Sequence, residues 1–304
     1  MKLKTKDFLS FDEIDSKETK KIIDLAIKLK QDLKKRQPKP LLKNKTMAMI
    51  FQKPSTRTRI SFETGMHHLG GHALYLSPDD MQLSRGETIE DTAKTLSRYV
   101  DVIMARVFDH SALESLAENS TIPVINGLSN SFHPCQILAD LMTIKEKKKK
   151  LDGLKISWIG DGNNVCNSLI YGCSKVGINM SIATPKKSQP ILKVVKESKK
   201  TINVELTDDP KKAVKNSDVI MTDTFSSIHN KDPKRIKKFL PKYQVNDSLV
   251  KKAKKDAIFM HCLPAKRGQE VTASVIDGPR SVVWDEAENR LHTQKALLLS
   301  ILGA

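Results

Sequence analysis

The sequence predicts an α/β protein of two parallel-sheet α/β domains joined by interdomain helices, and three observations lead there. Short apolar runs of strand length alternate with segments of helical period, which is the pattern of repeated βαβ units. That alternation stops at four lysines, 147–150, and Gly153, and then begins again. The chain has 304 residues, and at roughly 100–200 residues per domain that favours two domains over one. The expected division is 1–150 and 151–304.

Each element has its own justification. Residues 16–36 read as an amphipathic helix, with Ile22, Ile23, Ala26, Ile27 and Leu33 on one face and lysines opposite. The run Thr46-Met-Ala-Met-Ile-Phe51 is apolar enough for a buried strand. It leads through Lys53-Pro54 into Ser55-Thr-Arg-Thr-Arg59, which opens a helical segment reaching about Leu69. A strand at 73–76, a helix at 88–99, a strand at 101–107, a short helix at 111–119 and a strand at 123–126 follow. A long helix begins near His133. After the break, 155–159 is a strand and 164–176 a helix. Strands at 178–183, 203–206, 218–222 and 257–260 come next. Residues 224–246 are polar and aperiodic, the length of a functional lid. A last strand at 281–284 precedes an apolar helix, about 286–303, expected to return to the first domain.

Composition excludes several function classes. Hydrophobic residues make up 39% and charged residues 29%, which suits a globular protein, and no apolar run approaches the roughly 20 residues of a membrane span. Met1-Lys-Leu-Lys-Thr-Lys-Asp7 has no apolar stretch behind its lysines, so no secretory signal is expected. Cys135, Cys166, Cys173 and Cys262 form no CxxC pair, which removes structural zinc spacings and a disulfide framework. A cytoplasmic location follows. The net charge of +17 raises nucleic-acid binding, yet Lys outnumbers Arg 42 to 10 and aromatics are only 5%. Base reading uses Arg, and single-strand binding interleaves aromatics with basic residues. No nucleic-acid partner is expected; the positive field suits a small phosphorylated anion.

Four segments carry chemistry. Ser55-Thr-Arg-Thr-Arg59 places two or more hydroxyls and a guanidinium at a helix start, where free N–H groups and the dipole favour an anion such as phosphate. In His133-Pro-Cys-Gln136 a His and a Gln lie one helical turn apart. His261-Cys-Leu-Pro264 ends a strand, the position where open parallel sheets bind ligands. Gly160-Asp-Gly-Asn-Asn164 mimics a dinucleotide turn, but the third glycine is missing. Ala183-Thr-Pro-Lys-Lys187 also stands where an acidic ribose ligand belongs. No nicotinamide, flavin or ATP site is expected.

Taken in order with Ala287-Glu-Asn-Arg290, these motifs resemble the aspartate/ornithine carbamoyltransferase family over roughly residues 6–303. The Cys in the second motif and His-Cys-Leu-Pro resemble its ornithine carbamoyltransferase branch. The resemblance implies a carbamoyl-phosphate domain at 1–150 and an ornithine domain at 151–304, assembled as a homotrimer or a multiple of trimers. It implies transfer of the carbamoyl group of carbamoyl phosphate to L-ornithine, giving L-citrulline, without metal or organic cofactor. Ser55, Thr56, Arg57 and Thr58 would hold the phosphate, with Gln82 supplied by a neighbouring subunit. Arg106 and His133 would polarise the carbonyl, Gln136 and the carbonyl of Leu263 would orient the NH2 group, and Arg290 would come from the returning helix. Asp223 and Cys262 would position the amine and relay its proton; Asn164, Asp223, Ser227 and Ile228 would bind ornithine. Where the family carries Asp-x-Trp-x-Ser-Met-Gly, this chain has Asp223-Thr-Phe-Ser-Ser-Ile-His229. That departure keeps open an acceptor such as putrescine or N-acetylornithine. Nothing in the sequence separates a biosynthetic from a catabolic role.

Overall fold

A computed structural model describes residues 2–36, 38–226 and 233–304. The chain folds as two compact units, one formed by the residues up to Met142 with Glu288–Ala304, the other by Thr143–Ala287.

In the first unit, α1 (Ser16–Lys34) starts from a capping box: Asp15 accepts from Glu18 N, and Glu18 reaches back to Asp15 N. Its buried stripe is Ile22, Ile23 and Ala26. There follow β1 (Thr46–Phe51), α2 (Thr56–His68), β2 (His72–Leu76), α3 (Ile89–Tyr99), β3 (Val102–Arg106), α4 (His110–Asn119), β4 (Val124–Leu128) and α5 (Pro134–Lys148). The four strands are parallel, in the order β2-β1-β3-β4. β3 and β4 are buried along their whole length and do not alternate; their only polar side chains are Asn126 and the terminal Arg106. Phe51 pairs with Arg106, which aligns the end of β1, just before the Ser55 motif, with the end of β3.

In the second unit, β5 (Lys155–Ile159), α6 (Asn164–Val176), β6 (Asn179–Ala183), α7 (Leu192–Ser198), β7 (Val204–Thr207), α8 (Pro210–Val214), β8 (Val219–Thr222), α9 (Asp247–Val250), β9 (Ile258–Met260) and α10 (Ala273–Ile276) precede α11 (Val283–Leu302). The parallel order is β7-β6-β5-β8-β9. The direction of winding reverses at β5, whose neighbours are β6 on one side and β8 on the other. A ligand crevice is therefore expected outside the ends of β5 and β8. α11 crosses the boundary: from Glu288 onward it belongs to the first unit, where Leu3 N donates to the Ser300 carbonyl at 2.8 Å.

Two sequence expectations are corrected. Residues 281–284 are not a strand: Ser281 makes a single bridge to Phe259, and α11 has begun by Val283. β-Propensity in Val-Val-Trp yields there to a helix whose later turns are buried. Residues 224–246 are not uniformly irregular either. Pro233–Lys238 is a 3₁₀ helix. Phe225 and Phe239 are buried and stacked 4.5 Å apart, with the Tyr243 ring edge-on to Phe239. Three apolar side chains in a polar stretch were too few for a period to show. Ser227 and Ile228 lie outside the described residues. Among those described, no helix is long and apolar enough to cross a membrane.

Candidate active site

The first unit gathers its polar groups at the start of α2. Ser55 is the N-cap, extended at φ −155° and ψ 109°, and its hydroxyl accepts from Thr58 N at 3.4 Å. The arginines of the motif differ. Arg59 is committed to the surface, lying over the Tyr75 ring at 3.9 Å and paired with Glu63 at 3.2 Å. Arg57 is half-buried. Behind Thr58 stands Arg290 of α11, almost fully buried. Its Nη2 donates to Thr58 Oγ1 at 3.3 Å and its Nη1 to Gln136 Oε1 at 2.7 Å. Gln136 Nε2 in turn donates to Asp140 Oδ1 at 2.8 Å. A buried guanidinium is tolerable because this chain of bonds ends on a buried carboxylate. The amide of Gln136 is oriented by the same bonds.

Arg106, the last residue of β3, and His133, just before Pro134 opens α5, are both buried. The neighbouring Cys135 donates to the Asn126 carbonyl, and burial pushes its thiol up to about 12. That thiol is inert at neutral pH. Gln82 stands apart from this set, exposed on a 3₁₀ turn at Gln82–Arg85.

The second unit assembles a different cluster at the ends of β5, β8 and β9. Asp223, buried just beyond β8, accepts from Asn163 Nδ2 at 2.7 Å through Oδ2 and from Cys262 Sγ at 3.3 Å through Oδ1. Asn163 is the N-cap of α6, its Oδ1 accepting from Val165 N and Cys166 N, so the helix start fixes the orientation of its amide. Asn164, also buried, is the first residue of that helix. Asp161 pairs with Arg235, whose Nε also donates to the Phe225 carbonyl at 3.2 Å. Burial pushes the Asp161 carboxyl up, and the nearby Asp223 charge pushes the same way. The Arg235 guanidinium pulls against both. Beyond β9, the His261 amide donates to Glu286 Oε2 at 2.9 Å, and His261 Nδ1 accepts from Leu263 N at 2.9 Å. Its Nε2 faces the buried Glu270 at 3.4 Å. Leu263 sits at φ 57° before a cis peptide to Pro264, so the chain turns sharply and leaves Cys262 beside Asp223.

Donor atoms of Asp223, His261 and Cys262 lie within 4.8 Å of one another, a spacing that could hold a metal ion. Both ring nitrogens of His261 already have neighbours, Leu263 N at Nδ1 and Glu270 at Nε2, so joining such a set would displace one of them.

The glycines of the Gly160 turn let the chain pack closely on itself. A Cβ on Gly162 would fall 2.2 Å from Pro190 N, and at Gly160, with φ 127°, a Cβ would meet the Phe225 ring at 2.9 Å.

Sequence reading missed Asn163, Asp161, Arg235, Asp140 and the acids behind His261. Asn163 was signalled by its place at the cap of a helix following a strand, the usual N-cap position. Asp140 was signalled by its place four residues after Gln136 on the same helix, whereas Arg235 carried no local signal, since its partner Asp161 is distant in sequence.

Comparison with known proteins agrees with this arrangement. Residues 6–146 match the carbamoyl-P binding domain of aspartate/ornithine carbamoyltransferase, and residues 152–301 match its Asp/Orn binding domain. The chain is 62% identical over 302 residues to an ornithine carbamoyltransferase of Cenarchaeum symbiosum, covering 99% of each chain. It is 53% identical over 304 residues to the anabolic ornithine carbamoyltransferase of Pyrococcus furiosus, covering 98% of this chain and 96% of that one. Among solved structures, ornithine carbamoyltransferase from Pyrococcus furiosus superposes with a TM-score of 0.95 at 53% identity over 98% and 97% of the two chains. The one from Thermus thermophilus superposes with a TM-score of 0.90 at 42% identity over 98% and 99%. With both domains matched and both polar clusters at strand ends, the chain belongs to the aspartate/ornithine carbamoyltransferase family.

Proposed function

We propose that this chain transfers the carbamoyl group of carbamoyl phosphate to the side-chain amine of L-ornithine, giving L-citrulline and phosphate. One observation carries the reading: Thr58, Gln136 and Arg290, from three distant segments, are locked together at the N-terminus of the helix that Ser55 caps. A helix start with hydroxyls and arginine suits phosphate. An oriented carboxamide beside it suits a carbamoyl NH2 group.

The roles divide by unit. The first unit binds carbamoyl phosphate through Ser55, Thr56, Arg57 and Thr58 on the phosphate. Arg106 and His133 act on the carbonyl oxygen, where charge develops. Gln136, with the Leu263 carbonyl, holds the NH2 group, and Arg290 holds Gln136. The second unit binds ornithine through Asn163, Asn164 and Asp223, with Ser227 and Ile228. The amine nitrogen attacks the carbamoyl carbon, the C–O bond to phosphate breaks, and the nitrogen loses a proton. A free amine has a pKa of about 10, so the enzyme must take it up neutral or neutralise it. Asp223, hydrogen-bonded to Cys262, is the group assigned to accept that proton; Cys262 forms no covalent bond. The protein works in the cytoplasm, in arginine biosynthesis, as a homotrimer or a multiple of trimers with Gln82 donated to a neighbouring subunit's site.

Purified protein given carbamoyl phosphate and ornithine should form citrulline and phosphate in equal amounts. Phosphate release without citrulline would overturn the proposal.

A further inference from the structure

Two segments lead to the donors assigned to the carbamoyl oxygen: Arg106 ends β3, and His133 follows the turn beyond β4. Those segments are tied to each other. Asn130 N donates to the Phe108 carbonyl at 3.0 Å, its Nδ2 donates to Asp109 Oδ1 at 3.1 Å, and its Oδ1 accepts from His110 N at 3.0 Å. Ser129 closes the turn from which His133 leaves. Ser129 N donates to the Phe132 carbonyl at 2.9 Å, and its hydroxyl accepts from Phe132 N at 3.2 Å.

His110, the first residue of α4, grips this turn. Its Nδ1 lies 2.9 Å from Ser129 Oγ, and its ring stands edge-on to Phe132 at 5.1 Å and 71°. Burial pushes the His110 pKa below 6.5. Glu114, 3.8 Å from Nε2, and Asp12 pull the other way without overcoming it. The ring is therefore neutral at pH 7. In either tautomer of the neutral ring, Nδ1 and the Ser129 hydroxyl share a hydrogen bond, because the hydroxyl can give its proton to Nδ1 or to the Phe132 carbonyl.

We infer that His110 is a positioning residue for carbamoyl transfer: through Ser129 and Phe132 it fixes the separation of Arg106 and His133. Two donors aimed at one developing oxyanion work only if their spacing is held before reaction. The inference rests on the assignment of Arg106 and His133 to that oxygen.

Three variants of the full-length protein test it. His110→Phe keeps a ring against Phe132 but removes the Nδ1 hydrogen bond; His110→Asn restores a polar atom at the same number of bonds from Cα. His110→Phe should lower kcat by about tenfold and leave KM for ornithine within about twofold, with the melting temperature near wild type. His110→Asn should recover most of the loss. Ser129→Ala should lower kcat similarly, and combining it with His110→Phe should be no worse than the more impaired single variant. A kcat for His110→Phe within about twofold of wild type, no recovery in His110→Asn, or losses that multiply in the double variant would each overturn the inference. His133→Ala separates the two levels. Normal activity there would remove the assignment of His133 and the tie with it. Deep loss there beside a normal His110→Phe would remove the tie alone.

Discussion

Arg57 and Arg59 are two residues apart and do different work. Arg59 is stacked on Tyr75 and paired with Glu63, an exposed arrangement worth a fraction of a kcal/mol. Arg57 is the guanidinium assigned to the phosphate. Arg57→Gly should therefore cost on the order of 3 kcal/mol of transition-state stabilisation, read as kcat/KM for carbamoyl phosphate, with folding largely kept. Arg59→Ala should stay within about twofold of wild type by the same measure. Equal losses in the two variants would contradict the assignment. In the second unit, Asn163 should matter because it is the side chain that donates to Asp223 Oδ2. Asn163→Ala leaves that buried oxygen short of a donor and should lower kcat/KM for ornithine by about tenfold or more. A normal value would make Asn163 only a helix cap. The motifs exposed most of these residues in the sequence because each combines a strand end, a turn and a helix start. They could not separate Asn163 from Asn164, adjacent and identical, since the choice depends on which amide faces Asp223.

At the scale of elements, α11 carries buried polar side chains as well as apolar ones into the first unit, and one of its ionisable groups sets a pH dependence. His292 is nearly inaccessible, and burial together with Lys295, Lys30, His68 and Lys34 pushes its pKa down to about 3. Glu288, 3.6 Å from Nε2 and half-exposed, does not outweigh them. The folded state thus prefers the neutral ring more than the unfolded chain does. The stability His292 contributes is complete above its ordinary pKa of 6.5 and is lost as pH falls from there toward 3. Denaturant unfolding from pH 7 to pH 4 should show wild type losing more stability than His292→Gln. Parallel curves would contradict the burial of a neutral imidazole. Strand positions were legible because buried parallel strands carry continuous apolar runs, such as 47–51 and 102–105. The false strand at 281–284 arose from the same rule, because three β-favouring residues that open a long helix look locally like a strand. Where the 3₁₀ helix Pro233–Lys238 lies, lysines and arginine hid the aromatic anchors on either side.

At the scale of the whole molecule, the two polar clusters belong to different units, which match the family's carbamoyl-P binding and Asp/Orn binding domains. The division into two sheets was readable from a lysine run and a glycine. The return of α11 to the first unit was expected from its apolar sequence, but the particular bonds of Arg290 to Gln136 and Thr58 were not, because they join residues 154 and 232 apart in the chain. Assembly adds a further level. If Gln82, exposed on its turn, completes a neighbour's site, mixing inactive Gln82→Ala and Arg106→Ala chains should restore activity, since some mixed trimers hold a site with neither lesion. No recovery after confirmed subunit exchange would mean that each chain builds its own site. The central claim is the identity of the acceptor, and kcat/KM measured side by side for ornithine, putrescine, lysine and N-acetylornithine tests it most directly. Ornithine should give the highest value, because the Asn163–Asp223 pair and Asn164 supply a grip for an amino-acid head that putrescine lacks. A higher kcat/KM with any of the other three would contradict the ornithine assignment while leaving the carbamoyl-phosphate half in place.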